Sequence, residues 1–417
     1  MATAASIVDD LASIVGRAHA ATADVRRFTV DGAQPSTVVR PHSEEQVAEV
    51  IRYANTAGLA VIPWGGGTSM RTGNTPARYD IALSLDRMAQ VIEHEPADLT
   101  ATCQAGITLS RLQEALGAAG QVAPFERCLP PTSTVGGALA ANSSGASRQT
   151  TGTPRDFTIG MRVVTGDGLI VRAGGKVVKN VAGYDLCKLF AGSRGTLGII
   201  VEATFKLAPT EAPQAGILPM RSIEDACAAA ADLHRRGLLH ACVVANAAGA
   251  ADLGLPADGA TPFYIDSVRP LVETAAVAGP AAVEHPSLQN PVALRERLSI
   301  VRCELEARAS VLPSTVAAIV AQAGRIVPDV RAFAQPVTGD VRLAFPDVGE
   351  GLAGLARIRD TVASAGGSMV LESCPPEAKR ELDVFGSPPV AFSLMQAVKR
   401  QFDPNFVLSP GRFVGRL

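Results

Sequence analysis

Three consecutive glycines that follow an apolar, strand-like segment are the feature that most constrains how this chain can fold. Residues 61–64 end in Trp64, and the glycines at 65–67 are followed by Thr68 and Ser69. Without Cβ atoms, the backbone can form a concave nest whose N–H groups converge on one anion. The run is neither a P-loop nor a G-x-G-x-x-G dinucleotide fingerprint. It therefore predicts a different anion-binding loop, with an ordinary turn as the alternative.

The segments around this loop predict a β-α-β unit. Residues 35–39 form a predicted strand, the pair Ser43 and Gln46 begins a helix with a capping box, and Gly58 ends that helix. The next strand, 59–63, runs directly into the glycines. The loop therefore lies at the carboxyl end of a strand, where α/β sheets bind ligands.

The following elements are short strands with little room for helices between them, so the sheet is expected to be mixed rather than doubly wound. The N-terminal residues 6–15 carry one apolar helical face and predict a short docking helix. Further predicted elements are strands at 80–85, 91–95 and 99–105, a helix from Thr108 to Gly120, and a hairpin of strands 161–165 and 169–172.

Two further stretches consist largely of small residues. Residues 130–145 (PPTSTVGGALAANSSG) predict a helix that a flat ligand could approach closely, although a tight helix–helix contact would need the same composition. Residues 192–198 form another glycine-rich loop, between a predicted short helix at 185–190 and a strand at 198–207.

Composition limits the domain count and the function class. A length of 417 residues exceeds one ordinary core and indicates two or three domains. A net charge of −2 and 4% aromatic residues give no electrostatic or stacking surface for nucleic acid. We expect no signal peptide and no membrane span. The seven dispersed cysteines lack a C-x-x-C spacing, which favours buried thiols in a reducing cytoplasm over a metal or iron–sulfur site.

Four segments together resemble one family, the FAD-binding oxidases of the vanillyl-alcohol-oxidase type. They are the Pro-x-Gly-Gly-Gly-Thr-Ser loop, the Pro-Thr-x-x-Val-Gly-Gly-x-x-Ala-x-Asn-x-x-Gly segment at 131–145, Gly-Thr-Leu-Gly-Ile at 195–199, and the ending Phe-Asp-Pro-Asn-Phe-Val-Leu-Ser-Pro-Gly at 402–411. The resemblance covers residues 35–210 and 395–417. Within the family, residues 174–185 (GGKVVKNVAGYD) are most similar to the smaller FAD-binding subunits of glycolate oxidase.

The resemblance implies an α+β architecture. It consists of a two-subdomain FAD-binding domain of the p-cresol methylhydroxylase (PCMH) type and an α+β cap domain with an antiparallel sheet. The implied division is an N-terminal docking segment at 1–34, the FAD-binding domain at 35–210, the cap or substrate domain at 211–375, and a C-terminal helix and tail at 376–417 that return to the FAD-binding domain. Alternating signals after residue 209 agree with such a cap. They predict strands at 217–220, 241–245, 301–305, 341–345 and 368–371, and helices at 223–236, 292–300, 313–324, 352–365 and 390–402.

The resemblance also assigns the cofactor site. The first loop would hold the FAD pyrophosphate, and the other two stretches would lie beside the flavin, in agreement with backbone nests for phosphates and small residues next to a flat ring. Thr68 stands where some relatives attach the flavin to a His, so FAD should bind without a covalent link. Tyr184 and Arg412, both in matching segments, are the candidate catalytic residues, with packing or cofactor binding as the alternative. The predicted cofactor-binding residues are Pro63, Trp64, Gly65, Gly66, Gly67, Thr68, Ser69, Pro131, Thr132, Ser133, Gly136, Gly137, Asn142, Gly145, Lys179, Asn180, Gly195, Thr196, Gly198, Ile199 and Ile200.

The function implied by the resemblance is oxidation of a small 2-hydroxy acid such as glycolate or D-lactate. Such a reaction needs a base, a cation for the carboxylate and the flavin. The cap histidines His234, His240 and His285 form no H-x-H or His-Gly-Asp-Gly-Asn pattern, so surface roles are expected for them. The chain would then be the flavin subunit of a cytoplasmic glycolate-oxidase-type complex that passes electrons to a larger FAD-dependent subunit and an iron–sulfur subunit, with membrane association only through those partners. Two alternatives remain: a self-sufficient FAD-dependent D-2-hydroxyacid dehydrogenase and a non-catalytic flavin-holding subunit.

Overall fold

The computed structural model describes residues 4–125, 129–176, 183–210, 214–252, 261–267 and 303–417. Its strands are β1 (Ala20–Ala21), β2 (Thr37–Val39), β3 (Val61–Trp64), β4 (Ile81–Ser84), β5 (Val91–Glu95), β6 (Thr100–Gln104), β7 (Gln121–Val122), β8 (Thr158–Val164), β9 (Ile170–Gly174), β10 (Ile199–Lys206), β11 (Ala208–Pro209), β12 (Gln214–Met220), β13 (Leu239–Ala245), β14 (Thr261–Ser267), β15 (Leu305–Ser310), β16 (Arg331–Gln335), β17 (Asp340–Phe345) and β18 (Ser368–Ser373). Its α-helices are α1 (Ala4–Val15), α2 (Glu44–Ala57), α3 (Leu109–Gly117), α4 (Val135–Ala141), α5 (Arg148–Thr151), α6 (Pro154–Phe157), α7 (Cys187–Phe190), α8 (Ile223–Arg235), α9 (Ala247–Asp252), α10 (Val316–Ile326), α11 (Val348–Ser364), α12 (Ala378–Glu381) and α13 (Phe392–Phe402). None of these helices is both long and apolar enough to cross a bilayer.

The predicted β-α-β unit forms a four-stranded sheet in the order β1-β2-β4-β3, in which β2, β4 and β3 are parallel. Ser43 caps α2 by accepting a hydrogen bond from the backbone N–H of Gln46, and Gly58 ends the helix in the left-handed conformation, as the sequence predicts. The predicted docking helix is α1, which packs on α2. The same N-terminal segment also supplies β1, which the sequence pattern did not predict.

The antiparallel strands separate into a second sheet of five strands, in the order β5-β6-β10-β8-β9. The predicted hairpin is the pair β8–β9. The later strands therefore do not all join the first sheet: β4 extends that sheet, whereas β5 and β6 begin the second one. Buried side chains of both sheets and of α2, α3 and α4 share one hydrophobic core, so the two sheets form a single packed unit.

The third sheet has seven antiparallel strands in the order β12-β14-β13-β16-β17-β15-β18. Helices α10 and α11 bury one face of it around β15, β17 and β18, and α8 packs on β13. The strand predicted at 301–305 shares only Leu305 with β15, residues 301–302 lie outside the described residues, and β14 and β16 had not been predicted. Charged Glu306 and Arg308 alternate with alanines in β15. Because this segment contains no continuous apolar run, the predicted strand ended where the observed strand begins. The predicted helix at 292–300 lies outside the described residues.

The C-terminal segment packs back against the first sheet. Leu408 forms a parallel bridge with Val61, next to the glycine loop. Lys399 on α13 is 1% exposed, and its Nζ donates hydrogen bonds to the carbonyl oxygens of Thr196 and Leu408, at 2.7 and 2.9 Å, and to Asp403 Oδ2 at 2.6 Å. The buried ammonium group of Lys399 thus ties α13 to the third glycine-rich region, and the Leu408–Val61 bridge holds the tail beside the first.

Candidate cofactor and substrate site

The glycine loop after β3 forms a nest of free backbone donors. Within the described part of the chain, none of the N–H groups of residues 65–69 donates a backbone hydrogen bond. The oxygen atoms point elsewhere: Gly67 O accepts from Met70 N, and Ser69 O accepts from Thr72 N. Several adjacent free N–H groups beside small residues form a binding site for a phosphate or pyrophosphate anion.

Close packing against the segment before α4 explains why this loop needs glycines. A Cβ on Gly65 would lie 2.1 Å from Thr134 Oγ1, and one on Gly66 would lie 1.8 Å from the carbonyl oxygen of Thr132. Gly67 has a φ of +74°, a conformation that few other residues adopt. The first and second glycine-rich stretches therefore form one contiguous structure.

Helix α4 brings a second set of small residues to the same place. Thr134 caps it by accepting from Gly137 N, and Asn142 ends it with a φ of +48°. A Cβ on Gly136 would lie 2.8 Å from that of Ala105, so this glycine lets the helix pack on the second sheet. Gly136 and Gly137 also line the groove described below, so α4 combines a close contact with the second sheet, rather than with another helix, and a small-residue surface on the groove.

The third loop, residues 192–198, lies across from α4. Gly195 has a φ of +70°, and a Cβ there would lie 2.7 Å from Pro63 Cγ. A Cβ on Gly198 would lie 2.3 Å from Val163 Cγ1. Each glycine thus permits a close approach that a larger residue would prevent, and Ile199 and Ile200 follow as an apolar wall.

All three loops line one open groove. The predicted cofactor residues that line it are Pro63, Trp64, Gly65, Gly66, Gly67, Thr68, Ser69, Gly136, Gly137, Gly195, Gly198, Ile199 and Ile200. Thr196 instead turns its hydroxyl to Ser193 O, and Ser133 donates to Thr68 Oγ1 at 3.1 Å. Pro131, Thr132 and Gly145 also lie outside the groove lining, and Asn142 faces a second cavity. Lys179 and Asn180 lie outside the described residues.

The groove suits FAD by its own chemistry. Free N–H donors lie at one end, and small or apolar side chains line the rest, which matches a pyrophosphate joined to a flat ring system. No His, Cys or Tyr occurs among the residues that line the groove within the described chain. Its donor set therefore favours non-covalent binding, with the nest on the phosphates and α4 and the third loop beside the rings.

The two predicted catalytic residues occupy very different positions. The Tyr184 side chain is 94% exposed and lines neither cavity, so its position does not support contact with a substrate. Arg412 is buried and lines the groove, but its guanidinium donates to the backbone oxygens of Met70 and Thr72, both at 2.8 Å. Burial lowers the pKa of Arg412, and Asp31, 3.7 Å away, works against that shift. These hydrogen bonds occupy the guanidinium of Arg412 and fix residues 70–72, which directly follow the nest.

A second cavity lies between the FAD groove and the uncovered face of the cap sheet. Its charged lining residues are Arg71, Arg148, Arg194, Arg308, Arg342, Glu306 and Glu372. Arg308 is fixed by Asp340, with hydrogen bonds of 2.8 and 2.6 Å, and by Ser144 Oγ. Burial alone would lower the pKa of Arg308, but Asp340 and Glu372 raise it above its usual value. Five arginines and two glutamates line the cavity, so its lining has a net positive charge.

Arg194 lines both the groove and the second cavity, so it marks the place where they meet. It adopts a φ of +53°, unusual for a side chain of this size, and its guanidinium carbon lies 5.6 Å from the centre of the Phe385 ring. Among the described residues, no carboxylate forms an ion pair with it. Burial lowers the pKa of Arg194 to about 10, so it remains a cation at neutral pH. A half-buried cation that forms no ion pair with a described carboxylate indicates a binding position for an anionic ligand.

Sequence reasoning missed this cavity, although a signal was present. In β15 the residues Glu306, Arg308 and Ser310 alternate with buried apolar ones, and Ser368, Val370 and Glu372 do the same in β18. When charged residues alternate with buried apolar ones along a strand, one face of the sheet packs in the core and the other face is polar. The partial burial of these polar residues indicates that another part of the protein covers that face. No cluster of three or more His, Cys, Asp or Glu suited to a metal occurs among the described residues.

Comparison with known proteins agrees with this geometry. Residues 35–174 match the protein family described as FAD binding domain. D-2-hydroxyglutarate dehydrogenase of Stutzerimonas stutzeri is 28% identical over 91% of this chain and 90% of that protein. The glycolate oxidase subunit GlcD of Bacillus subtilis is 34% identical over 47% of this chain and 42% of its own length. D-lactate dehydrogenase of Archaeoglobus fulgidus is 34% identical over 49% and 46%, so the chain spans less than half of these last two relatives.

Solved structures share the whole architecture. p-Cresol methylhydroxylase with substrate bound superposes with a TM-score of 0.76 at 16% identity, over 97% of this chain and 96% of that chain. 4-Ethylphenol oxidase from Gulosibacter chungangensis gives 0.73 at 16%, over 98% and 96%. At such identities the likeness shows the fold, and the fold is the predicted α+β combination of an FAD-binding unit and a cap. Residues 35–174 therefore form an FAD-binding domain, the whole chain has the PCMH-type fold with a cap, and the protein is an FAD-dependent oxidoreductase.

Proposed function

We propose that this chain oxidises a small 2-hydroxy acid with FAD and works as the flavin subunit of a glycolate-oxidase-type complex. The observation that supports the proposal is the position of Arg194, a half-buried cation where the FAD groove opens into an arginine-lined cavity. An anionic substrate in that cavity would lie directly against the cofactor. The relatives above, named for D-2-hydroxyglutarate, glycolate and D-lactate, have 2-hydroxy acids in common.

The residues of the cavity suit such a substrate. Bound FAD would supply the acceptor for the hydride, and the chain must hold the carboxylate and receive the hydroxyl proton. Arg308 is already committed to Asp340 and Ser144, so it serves mainly to shape the cavity. Arg194 has no such commitment among the described residues, and its planar guanidinium can hold a carboxylate through two parallel hydrogen bonds.

A larger flavin subunit and an iron–sulfur subunit are the proposed partners. The resemblance of residues 174–185 to small glycolate oxidase subunits supports this assignment, as does the absence of any C-x-x-C spacing among the seven cysteines. A self-sufficient D-2-hydroxyacid dehydrogenase is the second candidate, since the match to D-2-hydroxyglutarate dehydrogenase spans 90% of that protein. Affinity purification of the tagged chain from its own host separates the two. A stable assembly containing both further subunits supports the complex, and an active chain without them supports the second candidate.

The oxidation itself is tested with the purified, FAD-loaded chain. Rapid anaerobic mixing with glycolate, D-lactate or D-2-hydroxyglutarate should bleach the visible flavin absorbance. Arg194→Met should weaken binding of the reactive acid about 10- to 100-fold, the worth of one charge-assisted hydrogen bond. Arg400→Met, which removes an exposed arginine from α13, is the matched control. A flavin that none of the acids reduces would contradict the oxidation, and an Arg194→Met variant with wild-type affinity would contradict the carboxylate anchor.

A further inference from the structure

The open face of the cap sheet presents two carboxylates to the substrate cavity. Glu306 on β15 and Glu372 on β18 both line it, on the face opposite the core that α10 and α11 cover. Backbone pairing of Glu306 with Ser373 places the two strands side by side at this point. The two acidic groups therefore belong to one built surface, formed by strands about 60 residues apart in the chain.

The cavity offers few groups that can take a proton near neutral pH. Its described lining contains no His, Lys, Cys or Tyr, and its arginines remain charged. Only the two glutamates can act as bases. Glu372 lies 3.7 Å from Arg308 Nη1 and is the weaker candidate, because its carboxylate is already paired with that guanidinium.

Glu306 has a different environment. Its Oε1 accepts a hydrogen bond of 2.5 Å from the backbone N–H of Cys303, which fixes the carboxyl group, and no described cation lies within ion-pair distance of it. Burial raises the pKa of Glu306, and the neighbouring charge of Glu372 adds to that effect, while the hydrogen bond from Cys303 and the charges of Arg71 and Arg342 oppose it. A fixed carboxylate with a raised pKa is the usual arrangement for a general base that works near neutral pH.

We propose that Glu306 is the catalytic base of this chain and takes the hydroxyl proton of the substrate. The assignment rests on the proposed function. As the O–H bond breaks, the proton goes to Glu306 and the electron pair forms the new C=O bond. The carbon that carried the hydroxyl group also loses a hydride, for whose two electrons bound FAD would supply the acceptor. The 2-hydroxy acid thereby becomes a 2-oxo acid. Glu306 thus supplies the base that the histidine pattern of the sequence did not reveal.

The test compares Glu306→Gln with Glu304→Gln, which removes an exposed carboxylate two residues away. Glu306→Gln should slow flavin reduction by a 2-hydroxy acid about 10²- to 10⁴-fold, the usual contribution of general base catalysis. Wild-type reduction should accelerate as pH rises through the pKa of Glu306, above the range of an ordinary glutamate, and the variant should lose this dependence. Glu304→Gln should keep both the rate and the pH profile.

A second readout does not require turnover. Binding of pyruvate, an anionic 2-oxo acid, should be accompanied by proton uptake at Glu306, because a neutral carboxyl group tolerates the anion better than a carboxylate. Calorimetry in buffers of different ionisation enthalpy measures that uptake, which Glu306→Gln should abolish while it tightens pyruvate binding. If Glu306→Gln left the reduction rate, the pH profile and the proton uptake unchanged, only the assignment of Glu306 as the base would be overturned. A wild-type flavin that no 2-hydroxy acid reduces would overturn the proposed function together with it.

Discussion

Replacing Gly66 with alanine should severely weaken FAD binding while leaving the fold in place. The added Cβ would lie 1.8 Å from the carbonyl oxygen of Thr132 and 2.7 Å from its carbonyl carbon. Both are backbone atoms, so no side chain can rotate away to relieve the contact. The loop and the segment before α4 must move apart, and the N–H groups of the nest move with them.

The structure gives the size of the effect. Restoring an ordinary contact requires a separation greater than about 1 Å, and a shift of that size breaks N–H···O hydrogen bonds of normal length. Hydrogen bonds to a charged group are worth about 1.5–3 kcal/mol each, so losing two costs about 3–6 kcal/mol. FAD affinity should therefore fall about 10²- to 10⁴-fold.

The chain carries its own probe for this measurement. Trp64 is the single tryptophan and lines the groove, so FAD should quench its fluorescence on binding. Gly117→Ala in α3 is the matched control, because a Cβ there meets nothing within 4 Å, and it should bind FAD normally. Far-ultraviolet circular dichroism of both apo variants checks the fold. Wild-type FAD affinity in Gly66→Ala would refute the assignment of this loop to the pyrophosphate.

Three further predictions concern the cofactor and the buried tail. Acid precipitation of the yellow protein should leave all FAD in the supernatant, because Thr68 cannot link the flavin as a His does, and a yellow pellet would contradict this. Lys399→Met should lower the free energy of unfolding by about 3–5 kcal/mol in denaturant titrations, since Asp403 would stay buried without its partner, whereas exposed Lys206→Met should have little effect. Arg412→Met should weaken FAD binding by releasing the carbonyls of residues 70 and 72. If that variant bound FAD normally and lost only turnover, Arg412 would be catalytic after all.

The groove was predictable because its determinants are local. Whether a loop can form a nest depends on the residues of that loop, and the glycines at 65–67 and at Gly195 and Gly198 are visible in the sequence. Their separate contacts are not visible, since Gly66 meets Thr132 and Gly195 meets Pro63 from distant parts of the chain. The resemblance to a known family supplied that missing step by showing that these segments occur together.

The substrate cavity could not be predicted in the same way. Its carboxylates and arginines come from β15, β17 and β18, whose pairing order is not the chain order. The alternation of Glu306 and Arg308 with alanines indicates a strand with one polar face, but not what covers that face. The pairing of strands that are not neighbours in the chain arises only when the core is packed. In that core, apolar residues of α10 and α11 determine which face of the cap sheet is buried.

Comparison of Arg412 with Arg194 shows why a matching motif does not by itself identify a functional side chain. Arg194 directly precedes the glycine-rich segment 195–199, Arg412 directly follows the Pro-Gly of the C-terminal segment, and both line the FAD groove. The guanidinium of Arg412 donates hydrogen bonds to buried backbone oxygens of residues 70, 72 and 74. Its role is therefore to stabilise the fold. Arg194 contacts an aromatic ring and no described carboxylate, so its charge is still available to a ligand. Availability of donors, which only the packed structure reveals, therefore favours Arg194 over Arg412 as the residue that meets the substrate.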